Sequence, residues 1–144
     1  MEGVKPSAQP KPVWPDPVGL PSEELYAMGV SAFNQGDFYE AHDYWEELWT
    51  AHQLPDRRFM QGLIQLAVGC FHLTNDNLNG GRGLLTKCQP KLEQASGGSP
   101  GDSRGLDVAA MLSFIDDALR QIATLQSAGD FNWSRLPKLA APTR

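Results

Sequence analysis

Apolar residues recur at helical spacing through most of the chain, and glycine, proline and asparagine mark the breaks between the runs. Leu25, Met28, Ala32 and Phe33 share one face of a first helix that Ser22 is placed to cap, with Glu23 and Glu24 near its positive end and Gln35-Gly36 as its close. A second helix follows at once, from Asp37 to about His52, and Leu54-Pro55 ends it. Wound at about 100° per residue, it gathers Phe38, Ala41, Trp45, Leu48 and Trp49 on one face together with His42, which then points towards the core. Glu40, Asp43 and Glu47 fall opposite, and Glu46 lies at the border one turn beyond His42. Asp37 is placed as the N-cap, and Glu40 three residues on completes a capping-box pair.

The third run, from near Asp56 to about Leu73, is apolar nearly all round, with Phe59, Met60, Leu63, Ile64, Leu66, Val68, Cys70 and Phe71. Such a helix belongs in the middle of a bundle. Its exception is a stripe of Gln61, Gln65 and His72, polar groups that need partners or cost roughly 1–3 kcal/mol each. A fourth helix from about Leu78 to Gln94 carries Leu84, Leu85, Cys88 and Leu92. Gly80, Gly81 and Gly83 would let it approach a neighbour closely, and Pro90 predicts a kink. The fifth, about Asp107 to Ser127, shows Val108, Met111, Leu112, Ile115, Leu119, Ile122 and Leu125 at clean helical spacing. No strand-like alternation occurs. The pattern predicts an all-α domain of about five helices, two antiparallel hairpins plus a closing helix.

Composition adds boundaries. Residues 1–21 hold six prolines and read as a disordered or extended arm whose one docking candidate is Trp14. The helical domain is expected over 22–127, with a flexible loop at about 96–105, and 128–144 as an irregular tail whose aromatics lie back over the bundle. At 144 residues the chain suits one domain. Twelve basic against 17 acidic residues, a net charge of -5 and no basic run argue against nucleic acid and anionic membrane as partners. Without a run of roughly 20 apolar residues or the charged-then-apolar order of a secretion signal, a soluble cytoplasmic protein is expected. The two cysteines ask for no disulfide, since Cys70 sits in an apolar run as a small hydrophobe.

The candidate chemistry lies where the two polar stripes could converge. His42 and Glu46 on the second helix and His72 on the third would give two imidazoles and a carboxylate, a donor set suited to zinc, manganese or iron with an open position for a hydrolytic water. Glu46 and Gln65 are then the catalytic candidates, with Glu40, Asp43, Gln61 and Gln65 as supporting groups. The competing reading is that these residues hydrogen-bond one another and fix the helix register, which requires no metal. His52, near a helix end, reads as a capping or surface residue, and Trp45 and Trp49 as core.

Phe33-Asn34-Gln35-Gly36, then Phe38 to Asp43 with Trp45-Glu46 and Trp49, then Gln61 to Gln65 with His72, Asn77 and Gly80-Gly81, resemble the domain-of-unknown-function 309 family over roughly residues 25–92. Members are small helical proteins often labelled predicted metal-dependent hydrolases. The resemblance implies such an activity here, with Glu40, His42, Asp43, Glu46, Gln61, Gln65 and His72 at the family's motif positions. The chain has Asp43 where the family often has Glu, and Gly81 where it often has Ala. A second resemblance, to a tetratricopeptide helical hairpin, rests on Gly29, Gly36, Phe38, Ala41 and Trp45, with Leu78 and Gly81 repeating Phe38 and Ala41 about 40 residues on. It implies a non-enzymatic interaction module. The partner is correspondingly a small molecule or a protein, and a homo-oligomer is open.

Overall fold

The computed structural model describes residues 12–96 and 103–140 and forms five α-helices: α1 Ser22–Asn34, α2 Phe38–Ala51, α3 Arg57–Thr74, α4 Leu78–Ser96 and α5 Val108–Ile122. A 3-10 turn follows at Ala128–Asp130, and no strand occurs among the described residues. Most of the predicted flexible loop, residues 1–11 of the arm and residues 141–144 lie outside them. The fold is all-α, and each helix packs on its neighbour in sequence, so the chain reads as two hairpins closed by α5.

α1 ends because Gly36 takes a left-handed φ of 81°, which lets its N–H reach Phe33 O and the Asp37 N–H reach Ala32 O. This pair of bonds reverses the chain at once and lays α2 against α1. The buried stripes follow the predicted spacing, with Leu25, Ala32 and Phe33 on α1, then Phe38, Ala41, Trp45 and Leu48 on α2, meeting through ring contacts of Phe33 with Phe38 and Trp45; Met28 and Trp49, expected on the same faces, are half-buried. α3 is the central helix, with Met60, Leu63, Leu66, Ala67 and Cys70 fully covered. Each of the Met and Leu side chains is worth roughly 1.5–3 kcal/mol of burial, so the bundle is held by these seams rather than by helix propensity. On α4, a Cβ at Gly81 would strike Leu73, whereas Gly83 faces open space and supports no close approach.

Several helix ends differ from expectation. The N-cap of α1 is Pro21, with Ser22 already inside the helix and no side-chain cap bond. Asp37 does stand at the N-cap of α2 but makes no cap bond, and the capping box with Glu40 does not form. The Asp37 carboxylate, only 3% exposed, instead accepts a 2.8 Å hydrogen bond from Trp14 Nε1. A buried acid takes the best donor within reach, and here that donor comes from 23 residues upstream.

α5 stops five residues short of its predicted end at Ser127. The Gln121 amide pairs with the backbone N–H and C=O of Asn132, and the Asp76 carboxylate captures Ala128 N and the Ser127 hydroxyl, so the chain is pulled back over the bundle. Phe131 and Trp133 then pack against each other and on Phe38 and Phe114, as expected for the tail.

The described part of the arm, from Pro12, makes specific contacts with the bundle. Trp14 sets its ring edge-on to Tyr44 at 6.2 Å, and the Tyr44 hydroxyl donates to Pro15 O. Asp37 and Tyr44 thus supply specific partners for the arm, which turns at Pro17–Leu20 before α1.

Candidate functional site

α2 carries the chemistry-bearing positions. His42 Nε2 meets Glu46 Oε1 at 3.0 Å, as the i, i+4 spacing predicts, and His42 Nδ1 lies 3.3 Å from Tyr39 O. The pair sits at the edge of the core rather than within it, with side chains 20% and 54% exposed. His72 faces a different neighbour. Its Nδ1 lies 3.2 Å from Asn77 Nδ2, and its ring fills the space over Gly80, where a Cβ would come within 2.7 Å of His72 Cγ. Asn77 Oδ1 in turn accepts from Gly80 N, so the start of α4 and the end of α3 hold this ring together.

Between the two histidines runs a sequence of rings: His42 to Tyr39 at 5.4 Å, Tyr39 to Phe71 at 5.4 Å and Phe71 to His72 at 6.2 Å. Gln61 and Gln65 are half-buried, and Gln65 Oε1 is buried with no hydrogen-bond partner among the described residues. Among those residues, no group of three or more His, Cys, Asp or Glu side chains comes together to hold a metal ion. The donor set that the sequence suggested, His42, Glu46 and His72, therefore does not fit a metal as placed. His52 is the C-cap of α2, in keeping with the sequence. Trp45 is fully buried and Trp49 half-buried, its Nε1 donating to Arg57 O beneath the Arg57 guanidinium.

A concavity runs along the outer side of α2. The arm lies alongside the helix and encloses a cleft of about 670 Å³ between residues 12–18 and Tyr39 to Thr50. Five carboxylates line it, Asp16, Glu40, Asp43, Glu46 and Glu47, and three rings, Trp14, Tyr39 and Tyr44; among the described residues no Lys or Arg does. Glu40 and Glu47 are half-buried and Asp43 is exposed. Burial, followed by the negative charge of Asp43, Glu40 and Asp16, holds the Tyr44 phenol above its ordinary pKa, which keeps it protonated as the donor to Pro15.

This cleft escaped a motif-based reading because one wall is the proline-rich arm. A signal existed in the charge order: from residue 12 to residue 56 there are nine Asp and Glu and no Lys or Arg, although the whole chain has 12 basic residues.

The helices that carry His42, Glu46, Gln65 and His72 coincide with a family match. The model for a domain of unknown function, DUF309, covers residues 26–84, from Tyr26 in α1 to Leu84 in α4. That segment is similar to the DUF309 family. The arm, α5 and the tail lie outside it, so the cleft joins one wall from the matched segment to one wall from the arm. An uncharacterized protein of Aquifex aeolicus (strain VF5) is 27% identical over 97 residues, which are 67% of this chain and 28% of that protein's length. The chain thus spans under a third of that relative. No solved structure matches. No helix among the described residues is long and apolar enough to cross a membrane.

Proposed function

We propose that this protein is a non-enzymatic binding module that uses the cleft between its arm and α2, rather than a metal-dependent hydrolase. The observation that carries the proposal is the use already made of the imidazoles. Both His42 ring nitrogens have neighbours within α2, and His72 Nδ1 has Asn77. A catalytic zinc-type site needs about three protein donors converging on one point with an open position, and among the described residues no three His, Cys, Asp or Glu side chains are grouped in that way. The arrangement of His42, Glu46 and His72 fits a network that fixes helix register. The cleft, by contrast, has the volume of a ligand site and a mixture of rings and polar groups at its walls. The hairpin geometry, with glycine and aromatic positions like those of a tetratricopeptide unit, is of the kind that presents such surfaces.

Thermal unfolding of the wild type and His72→Gln, first with chelator and then with zinc, manganese or ferrous iron, tests this. A bound ion would stabilise the folded state by about 2.7 kcal/mol at a hundredfold excess over Kd. The binding-module reading expects no metal-dependent shift in either protein. A wild-type shift of several degrees that His72→Gln abolishes would restore the hydrolase reading.

A further inference from the structure

We infer that the first turn, Asn34 to Asp37, is a conformational coupler: the arm and the end of the tail dock on it from the two ends of the chain, and each holds it in the form that the other needs. For its bearing on function this rests on the binding-module reading, because the arm is one wall of the cleft and the tail then governs whether that wall is in place. Three observations carry it.

The first is that both ends of the chain reach the same turn. Asn34 closes α1, and its side chain takes both backbone groups of Leu139, with Nδ2 donating to Leu139 O at 2.9 Å and Oδ1 accepting from Leu139 N at 2.7 Å. Its backbone carbonyl, one of those that a helix end leaves without an internal partner, accepts from Lys138 Nζ at 2.8 Å. Asp37 accepts from Trp14 Nε1, also at 2.8 Å. These contacts bridge 105 residues of chain to the tail and 23 to the arm, so neither follows from chain proximity.

The second is that the turn moves as a unit. Gly36, at a φ of 81°, puts its own N–H on Phe33 O and the Asp37 N–H on Ala32 O, and both residues are buried. Asn34 therefore cannot follow Leu139 without carrying Asp37 with it. The Asp37 carboxylate is 3% exposed, and a charge-assisted bond to so covered an acid weakens steeply as its distance and angle depart from ideal.

The third is a path of rings through the same place. Trp133 of the tail stacks on Phe38 at 5.7 Å, and Phe38 meets Phe33 edge-on at 5.2 Å, so rings from the tail, α2 and α1 pack on both flanks of the turn. Phe38, the residue after Asp37, is 1% exposed. Coupling between separate segments is carried by packed side chains and hydrogen bonds that bias one shared element, and here the element is the turn, held or released. By linkage the effect is reciprocal: the factor by which tail docking strengthens arm docking is the factor by which the arm strengthens the tail.

The test follows two protons by NMR hydrogen exchange in the full chain. The Trp14 indole N–H, which donates to Asp37, reports on the arm, and the Leu139 amide, which donates to Asn34, reports on the tail. The indole N–H of the fully buried Trp45, which donates to Tyr26 O, is the reference for global opening. Leu139→Ala removes an apolar anchor of the tail and should speed Trp14 indole exchange, relative to that of Trp45, by at least about fivefold, the lower end of ordinary coupling between sites. Trp14→Phe keeps a ring beside Tyr44 but has no N–H for Asp37, and it should speed Leu139 amide exchange by the same factor. Asn34→Ala, which removes only the side-chain clamp and leaves a good helix former at the end of α1, repeats the first arm of the test if Leu139→Ala fails to fold by circular dichroism. A Trp14 indole unaffected by the tail variant, a Leu139 amide unaffected by Trp14→Phe, or acceleration no greater than that of the Trp45 indole would overturn the inference. The binding-module reading fails on a separate measurement, the His72-dependent metal shift.

Discussion

The two hairpins are variations on one plan with different attachments. An offset of 40 residues pairs Gly29 with Gly69, Gly36 with Asp76, Asp37 with Asn77, Ala41 with Gly81 and Trp45 with Leu85. Both turns close with the same bond, Asp37 N to Ala32 O and Asn77 N to His72 O, each 2.9 Å. The side chains then diverge. Asn77 caps α4 through Gly80 N and steadies His72, whereas Asp37 leaves α2 without a side-chain cap and holds Trp14 of the arm. Gly36 adopts its left-handed backbone without strain; Asp76 does so at a φ of 57°, and its carboxylate binds Ala128 N and Ser127 Oγ. One turn geometry thus anchors the N-terminal arm in the first hairpin and the start of the C-terminal tail in the second, while the end of that tail returns to Asn34 of the first through Lys138 and Leu139. The cleft exists on the first because the arm is anchored there.

The largest effect should come from the small position at each seam. A Cβ at Gly29 would lie 2.1 Å from Trp45 Nε1, inside a fully buried ring that also donates to Tyr26 O. A Cβ at Gly69 would lie 3.0 Å from Leu85 Cδ2, the end of a side chain that can turn aside. Gly29→Ala is expected to lower unfolding free energy by about 3 kcal/mol. Gly69→Ala should lower it by under about 1 kcal/mol, since alanine's better helix propensity offsets part of the crowding. Urea denaturation giving equal losses would mean that the two seams are equivalent after all.

A middle-sized effect separates the two caps. Trp14→Ala strips the buried Asp37 carboxylate of its indole donor and uncovers Tyr44, for an expected loss of about 2 kcal/mol. Asn77→Ala removes an ordinary N-cap, for about 1 kcal/mol. If Trp14→Ala proves neutral by the same denaturation assay, the arm is a passive appendage and the cleft has no fixed wall.

These contrasts show what was legible beforehand. The helices were, because Leu25, Phe33, Trp45, Met60, Leu63 and Ile115 repeat at a period that only one secondary structure satisfies, and the structure buries all of them. The His42–Glu46 contact was legible for the same reason, being four residues apart on one helix. The setting of His72 was not legible, since Asn77 and the space over Gly80, both at the start of α4, hold that ring. The fate of Asp37 was illegible, since its spacing is that of an N-cap and only the tertiary arrival of Trp14 changes its role. The cleft was half legible, in the missing Lys and Arg of residues 12–56.

The smallest effect concerns Tyr26, whose counterpart at the 40-residue offset is Leu66. Tyr26 is 5% exposed, and its hydroxyl has no hydrogen-bond partner among the described residues. The Arg104 guanidinium lies 4.7 Å from the ring centre and pairs with Asp56. Burial pushes the phenol up to about 12, with Arg104 pulling it down and Asp56 raising it. A buried hydroxyl without a partner is a cost, so Tyr26→Phe should be neutral or stabilising by up to about 1 kcal/mol at pH 7. The pH dependence has a definite sign. Because the folded state holds the phenol proton more tightly than the unfolded chain, whose tyrosine titrates near 10, the contribution is fully present below about pH 10 and is lost as pH rises towards 12. The variant's advantage should therefore widen over that window by on the order of 2 kcal/mol, read as the difference between urea unfolding curves at pH 7, 10 and 11.5. A Tyr26→Phe protein that is more than about 1 kcal/mol less stable than wild type at pH 7 would mean that the hydroxyl is satisfied and that the polar position distinguishes the first hairpin by stabilising it.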